Sequence, residues 1–447
     1  MTISPGRTPP FVISVVIALW ATLGPTLLGC ARPAGAPIEW GPRHLFRPTH
    51  RPVISSPAVA DIDGDRQMEI VIGSWDGYVY GMRTDLTDLP GWPVYDPGGF
   101  FASPALADLD GDGRLEVIIG AESGRLHALD VRGREMPGFP VDLGAHIWAS
   151  ATILPGPRIA IGDRGRFHVL DARGHAVDGW PQPIMGWPDA TAGHAPGVIA
   201  VTTLTPGDPS AGWVYAWDEQ ATLLSGFPVA LARDSDSSPA LADLDGDGRW
   251  WIIVGDDAGQ LHVLDLNGAE RSGFPVQTAG PPPDRPTPTP APPGGTPYSI
   301  EASPAVADLD GDGQLEIVVG SWDGNLYVWD ARGQPLPGWP IRVADQIISS
   351  AALVDLTGDG KLDIVVGSKD ERLYGWTWEG ASLEGFPIDL GAPVFSSPWV
   401  GDLNGDQRAD IVVGANNGIH VIFDVGQLGR RDWPTFHADE RRTGRAP

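Results

Sequence analysis

Ser303-Pro304-Ala305-Val306-Ala307-Asp308-Leu309-Asp310-Gly311-Asp312-Gly313-Gln314-Leu315-Glu316-Ile317-Val318-Val319-Gly320-Ser321-Trp322-Asp323-Gly324-Asn325-Leu326-Tyr327-Val328-Trp329-Asp330 is the stretch on which the fold turns. Three short β-branched and aromatic runs are separated by an acidic loop and a Ser-Trp-Asp-Gly turn, which reads as three antiparallel strands. A turn at Arg332-Gly333 leads to Gly338-Trp339-Pro340-Ile341, a fourth. The same unit recurs along the chain. Gly-(Trp/Phe)-Pro falls at Gly91, Gly138, Gly179, Gly226, Gly273, Gly338 and Gly385, and Asp432-Trp433-Pro434 makes an eighth, at intervals of 47, 41, 47, 47, 65, 47 and 47 residues. A Ser before Pro or Ala keeps the same step at Ser56, Ser103, Ser150, Ser238, Ser303, Ser350 and Ser397, with a degenerate unit near Asp189–Thr191. Four strands in a period of about 40–50 residues are the pattern of a β-propeller blade. The expectation is an all-β protein, a β-propeller of eight four-stranded blades, with seven as the alternative because strand exchange at ring closure can split one unit. The long interval is the same unit plus a Pro-rich insertion at 279–297.

Composition agrees. The 447 residues include 59 Gly and 45 Pro, and inside a helix Pro costs about 3 kcal/mol and Gly about 1. Helical bundles and coiled coils are thereby excluded. With 42% hydrophobic residues and 18 Trp, the chain has too much apolar surface to remain a solvated coil. The 57 acidic against 30 basic residues give a formal charge of −27, which argues against nucleic acid as a partner.

The acids are not scattered. Six loops, each between a first and a second strand, carry oxygen side chains at positions 1, 3 and 5 and, in five of them, a carboxylate at position 9. They are Asp61, Asp63, Asp65 with Glu69; Asp108, Asp110, Asp112 with Glu116; Asp243, Asp245, Asp247; Asp308, Asp310, Asp312 with Glu316; Asp355, Thr357, Asp359 with Asp363; and Asp402, Asn404, Asp406 with Asp410. Hard oxygens wrapped around a Gly-permitted turn suit Ca²⁺, which takes six to eight oxygens at about 2.3–2.6 Å. An EF-hand would need a Glu at position 12, where this chain has Ile72, Ile119, Val254, Val319, Val366 and Val413. The expectation is about five or six structural Ca²⁺ ions. The third loop is the weakest candidate, because Trp251 stands at its position 9. Residues 150–170 and 189–217 have no such loop.

These loops and strands resemble the FG-GAP/VCBS repeats, the calcium-loop propellers also found in integrin α-chains, over roughly residues 50–430. The resemblance implies that each loop joins an innermost strand to the next, with all ions on one face, stapling blades rather than doing chemistry. A second resemblance, to the propellers of quinoprotein dehydrogenases and outer-membrane assembly lipoproteins, rests on Leu170-Asp171-Ala172-Arg173-Gly174 and Trp329-Asp330-Ala331-Arg332-Gly333. At the N-terminus, Arg7, an apolar stretch from Phe11 to Leu28 and then Gly29-Cys30 resemble a bacterial lipoprotein signal. That implies a signal peptide at 1–29, lipidation of Cys30 and a tether through residue 50. The propeller is then expected at 51–434, with a closing tail at 435–447 packed near Trp40–Phe46. The body would be an exported, membrane-anchored monomer.

No nucleophile elbow, zinc helix or phosphate loop is present. His127, His168, His262 and His420 share one repeat position with Tyr80, Tyr215, Tyr327 and Tyr374, which reads as an aromatic packing slot with a polar tip. A ligand is expected on the face away from the acidic loops. That face is built by the turns between second and third strands, including Trp75-Asp76, Asp256-Asp257 and Trp322-Asp323, and by the residue two before each Ser. The candidates are Trp75, Phe101, Trp148, Asp236, Glu301, Trp322 and Phe395. The functional expectation is a cell-surface binding or adhesion module for an extracellular protein or glycan. The alternatives are an envelope-assembly scaffold and a propeller enzyme, either a polysaccharide lyase or quinoprotein-like.

Overall fold

A computed structural model describes residues 38–41, 43–205, 212–280 and 296–446. The signal segment 1–29, Cys30, the first part of the tether and residues 281–295 of the Pro-rich insertion lie outside the described residues. Eight antiparallel sheets follow one another, each a meander from an inner to an outer strand. The opening stretch is blade 6: Ala305–Ala307, Glu316–Gly320, Asn325–Asp330 and Ile341–Arg342. Inner strands are three residues long because the channel is narrow, and second and third strands are buried between neighbouring blades. Among the described residues no helix is long and apolar enough to cross a membrane.

Ring closure decides the blade count. Blade 8 takes its three inner strands, Trp399–Gly401, Arg408–Ala415 and Gly418–Gln427, from the C-terminal end. Its fourth is His44–Pro48, paired from His44↔Ile422 to Pro48↔Gly418, with Ile38–Gly41 beyond it. The propeller therefore includes Ile38–Gly41 and His44–Pro48 rather than beginning at 51, because the last blade lacks an outer strand of its own.

The recurring Ser explains itself in three dimensions. Ser56 N–H donates to Ser103 Oγ (2.9 Å), Ser103 to Ser150 (2.8 Å), Ser150 to Thr191 (3.2 Å), and Thr191 to Ser238 (3.0 Å). Ser238 continues to Ser303 (3.2 Å), Ser303 to Ser350 (2.9 Å), Ser350 to Ser397 (3.0 Å), and Ser397 returns to Ser56 (2.9 Å). Eight hydroxyls close one ring around the channel, so the number is eight. The degenerate unit contributes Thr191. The Gly of Gly-(Trp/Phe)-Pro is equally constrained. Gly91 has φ +93°, and a Cβ there would fall on the Arg132 carbonyl of the next blade. Its neighbour Trp92 donates its indole N–H to Val131 O of that blade (3.1 Å).

The tail does not pack near Trp40–Phe46. Arg431–Trp433 pairs with the inner strand of blade 7, and the chain then crosses the channel. Inner-strand N–H groups of Val400, Leu106, Ile153, His194 and Leu241 donate to the carbonyls of Pro434, Glu440, Arg441, Thr443 and Gly444 at 2.7–2.9 Å. The free edges of the inner strands present backbone donors that must be satisfied, and the tail satisfies them. Arg442, 0% exposed, donates to Pro104 O (3.0 Å), Pro57 O (2.8 Å), Phe436 O (2.7 Å) and Thr435 Oγ1 (3.1 Å). Pro57 and Pro104 directly follow Ser56 and Ser103, so the tail closes the channel immediately behind the Ser ring.

Candidate metal loops and the funnel mouth

The six acidic loops all connect an inner strand to a second strand, and the meander puts them on one face of the disc. Asp61 shapes the first: its Oδ1 accepts the N–H of Gly64 (2.7 Å) and Asp65 (3.0 Å), and its Oδ2 that of Arg66 (2.8 Å). Ligand oxygens of Asp61, Asp63 and Glu69 lie within 4.8 Å of one another, as do those of Asp108, Asp110 and Glu116, and of Asp308, Asp310 and Glu316. Glu69, 3% exposed, accepts the Ile62 N–H (2.9 Å). Burial pushes its carboxyl up to about 7, that hydrogen bond opposes the rise, and Asp63, Asp65 and Asp61 add to it. Glu116 and Glu316 are raised to about 7, and Asp363 and Asp410 to about 6, with burial again the leading cause. Carboxylates crowded in this way are short of positive charge, and a divalent cation fits the donor set. The loops also touch across blades, through Leu115 N–H to Ile62 O (3.0 Å) and Leu362 N–H to Leu309 O (2.9 Å).

Blade 5 differs. Arg271 donates Nη1 and Nη2 to the two oxygens of Asp245 (2.7 and 2.6 Å), lies 4.5 Å above the Trp251 ring, and donates Nε to Ala331 O of blade 6 (2.8 Å). A guanidinium of the chain itself thus occupies the acid that the other loops leave open. Sequence reading marked Trp251 but missed Arg271, which lies 26 residues from Asp245 and meets it only through the blade.

On the opposite face, the residues two before the Ser ring line a funnel: Ile54, Phe101, Trp148, Asp189, Asp236, Glu301, Ile348 and Phe395 in ring order. All but Trp148 are half-buried. Phe101 stacks on Trp148 (5.1 Å) and lies 6.2 Å from Trp75. Two expected ligand-facing rings are covered instead. Trp322 is 1% exposed and Trp148 6%, because each lies beneath a cation of the mouth, Lys369 at 5.5 Å and Arg164 at 5.3 Å. Burial pushes Asp189 up to about 7, aided by Asp236 and opposed by Arg164, and it raises Asp236 to about 6. Asp257 and Glu301 are raised well above the usual carboxylate range, first by burial and then by the neighbouring acids.

A model described as FG-GAP-like repeat matches residues 61–119, 243–319, 308–366 and 355–413, together more than half of the chain. The chain belongs to the FG-GAP-like repeat family. No curated protein matches it. Among solved structures, this FG-GAP propeller is similar to quinohemoprotein alcohol dehydrogenase from Comamonas testosteroni (TM-score 0.60, 16% identity, 85% of this chain and 75% of that one). It is also similar to BamB from Moraxella catarrhalis (0.54, 17%, 82% and 95%) and to the V. cholerae biofilm matrix protein Bap1 (0.54, 13%, 93% and 95%). At these identities the likeness is one of fold.

The histidines of the FG-GAP propeller occupy a structural slot. Tyr80, Tyr327 and Tyr374 donate their hydroxyls to Asp76, Asp323 and Asp370 at 2.6–2.7 Å. His168 meets Asp163 in the same manner (2.9 Å). His127 lies between Glu135 (2.5 Å) and Asp96 (3.4 Å), and His262 between Glu270 (2.8 Å) and Asp256 (3.5 Å). Burial alone would lower both imidazoles, but the flanking carboxylates outweigh it and hold each at about 9. They are imidazoliums at neutral pH, tying strands together.

Proposed function

We propose that this FG-GAP propeller is an exported, lipid-anchored, calcium-loaded binding module that takes an extracellular protein or glycan at its funnel mouth. The observation that carries the reading is the mouth itself. It is a ring of half-buried apolar and acidic side chains at the channel end, closed from behind by the tail, on the face away from the acidic loops. Function commonly resides on such loops above a rigid scaffold. Cys30, within its lipoprotein-like context, would hold the body at a membrane.

Calcium belongs to the scaffold in this reading. Asp61, Asp63, Asp65 and Glu69, and their counterparts in blades 2, 6, 7 and 8, would hold the ions, and a bound divalent cation supplies the charge that lets these acids stay ionised together. The chain's own part is to pre-shape each loop through its position-1 Asp and to bury the position-9 acid against the second strand.

The test pairs two panels. The purified, calcium-loaded chain is titrated on a glycan array and panned against a displayed random heptapeptide library. Retention by either, lost in Phe101→Ala with Glu301→Gln, is the expected result. Silence on both panels, together with a quinone- or polysaccharide-dependent turnover lost in the same variant, would put an enzyme in its place.

A further inference from the structure

The mouth divides into two arcs. Blades 7, 8, 1 and 2 contribute Ile348, Phe395, Ile54 and Phe101, half-buried and apolar. Blades 4, 5 and 6 contribute Asp189, then Asp236 with Asp257, then Glu301. A chain cation stands at each junction. The Arg164 guanidinium lies 3.9 Å from the Trp187 ring centre, and the Lys369 ammonium lies 5.3 Å from that of Phe395, donating to Gln346 Oε1 (2.7 Å). Among the described residues, Arg164 lies near Asp189, and Lys369 near Glu301 and Asp345.

Several polar groups here, Arg164 Nε among them, have lost water without gaining a partner among the described residues. Asp189 Oδ2, Asp257 Oδ1 and the indole N–H of the buried Trp148 are sealed from solvent and have no hydrogen-bond partner among the described residues. A buried polar group left unsatisfied is destabilising, and at the open end of the channel such groups point to a ligand that completes them.

Two observations define that ligand. Among the described residues, three acids converge within chelating distance only in the loops of blades 1, 2 and 6, not at the mouth. The mouth acids come from three successive blades and are set along an arc, which an extended organic cation can follow. The adjoining arc is aliphatic and phenyl, while two of the three Trp expected at the mouth are covered, so the open surface suits apolar side chains better than the face of a sugar ring. Arg164 and Lys369 already show how a cation rests here, over an aromatic ring and beside an acid.

We propose that the mouth binds a basic peptide segment of an extracellular protein. A Lys or Arg lies on the Asp236–Asp257–Glu301 arc, and flanking apolar residues rest against Phe101, Ile54 and Phe395. The proposal rests on the binding-module reading and narrows it to one class of partner. The heptapeptide panel tests it on the full calcium-loaded chain. The expected result is enrichment of peptides carrying Lys or Arg beside aliphatic or aromatic residues. The enriched peptide should lose at least tenfold in affinity when its Arg is replaced by citrulline, and as much against Asp236→Asn with Asp257→Asn. That variant removes like charges and should melt no lower than the wild type, which controls for folding. Enrichment without a basic preference, or an unchanged affinity in the double variant, overturns the proposal. Retention on the glycan array alone overturns it while leaving the binding-module reading intact. Silence on both panels ends both.

Discussion

Glu116 shows at the scale of one residue how the acidic loops could hold a cation. Its Oε2 accepts the Leu109 N–H (2.7 Å), and burial first, then Asp110, Asp112 and Asp108, raises its carboxyl. Glu116→Gln keeps an acceptor for Leu109 and removes one charge. Calorimetric titration should show at least a tenfold loss of calcium affinity in that loop, while in chelator the variant should melt above the wild type. A lower melt in both conditions would mean that no repulsion was stored there. Arg271 makes the complementary case. Metal analysis should return five ions rather than six. Arg271→Met should cost about 1–3 kcal/mol, the penalty of an unpaired charge-assisted partner, equally with and without calcium. His127 gives a pH signature. Its raised value contributes stability that is full below 6.5 and is lost as pH rises through about 9. The gap in melting temperature between wild type and His127→Gln should therefore be widest near pH 6 and shrink by pH 10.

At the scale of elements, the Ser ring and the tail hold the channel. Each Ser or Thr hydroxyl satisfies one backbone N–H of the preceding blade, so the ring is a single circuit rather than eight separate turns. The tail is the larger contributor because it bonds to inner strands in five blades and pairs with a sixth, while Arg442 is caged by four acceptors. Arg442→Met strands the carbonyls of Pro57, Pro104 and Phe436. Chemical denaturation should show a loss of about 3 kcal/mol or more, with the midpoint falling rather than the transition splitting. A variant as stable as the wild type would mean that the tail merely lies in the channel.

At the scale of the molecule, the proposed calcium ions would set stability together with charge. Five divalent ions would bring the formal −27 to about −17. Each ion at a hundredfold excess over its dissociation constant contributes about 2.7 kcal/mol, so excess chelator should lower the melting temperature by many degrees. With calcium saturating, the acids of the mouth leave their own trace. Groups whose folded values are raised favour the folded state as they take up protons, so stability should fall as pH rises from about 4 through about 7. Asp236→Asn should flatten that slope.

The repeat, the four strands per unit and the acidic loops were legible from residues 56 to 434, because strand period, turn chemistry and ligand spacing are local properties that a linear chain displays. The ring of residues at the mouth was legible as a register, two residues before each Ser. Its content was not, since burial covered Trp322 and brought Asp189, Arg164 and Lys369 to the same rim. Ring closure by His44–Pro48, the passage of the tail through the channel, and the meeting of Arg271 with Asp245 were decided by the tertiary structure alone. Each joins parts of the chain whose partners are set by which backbone donors and charges remain unsatisfied once the blades have assembled, a quantity that does not exist until the ring does.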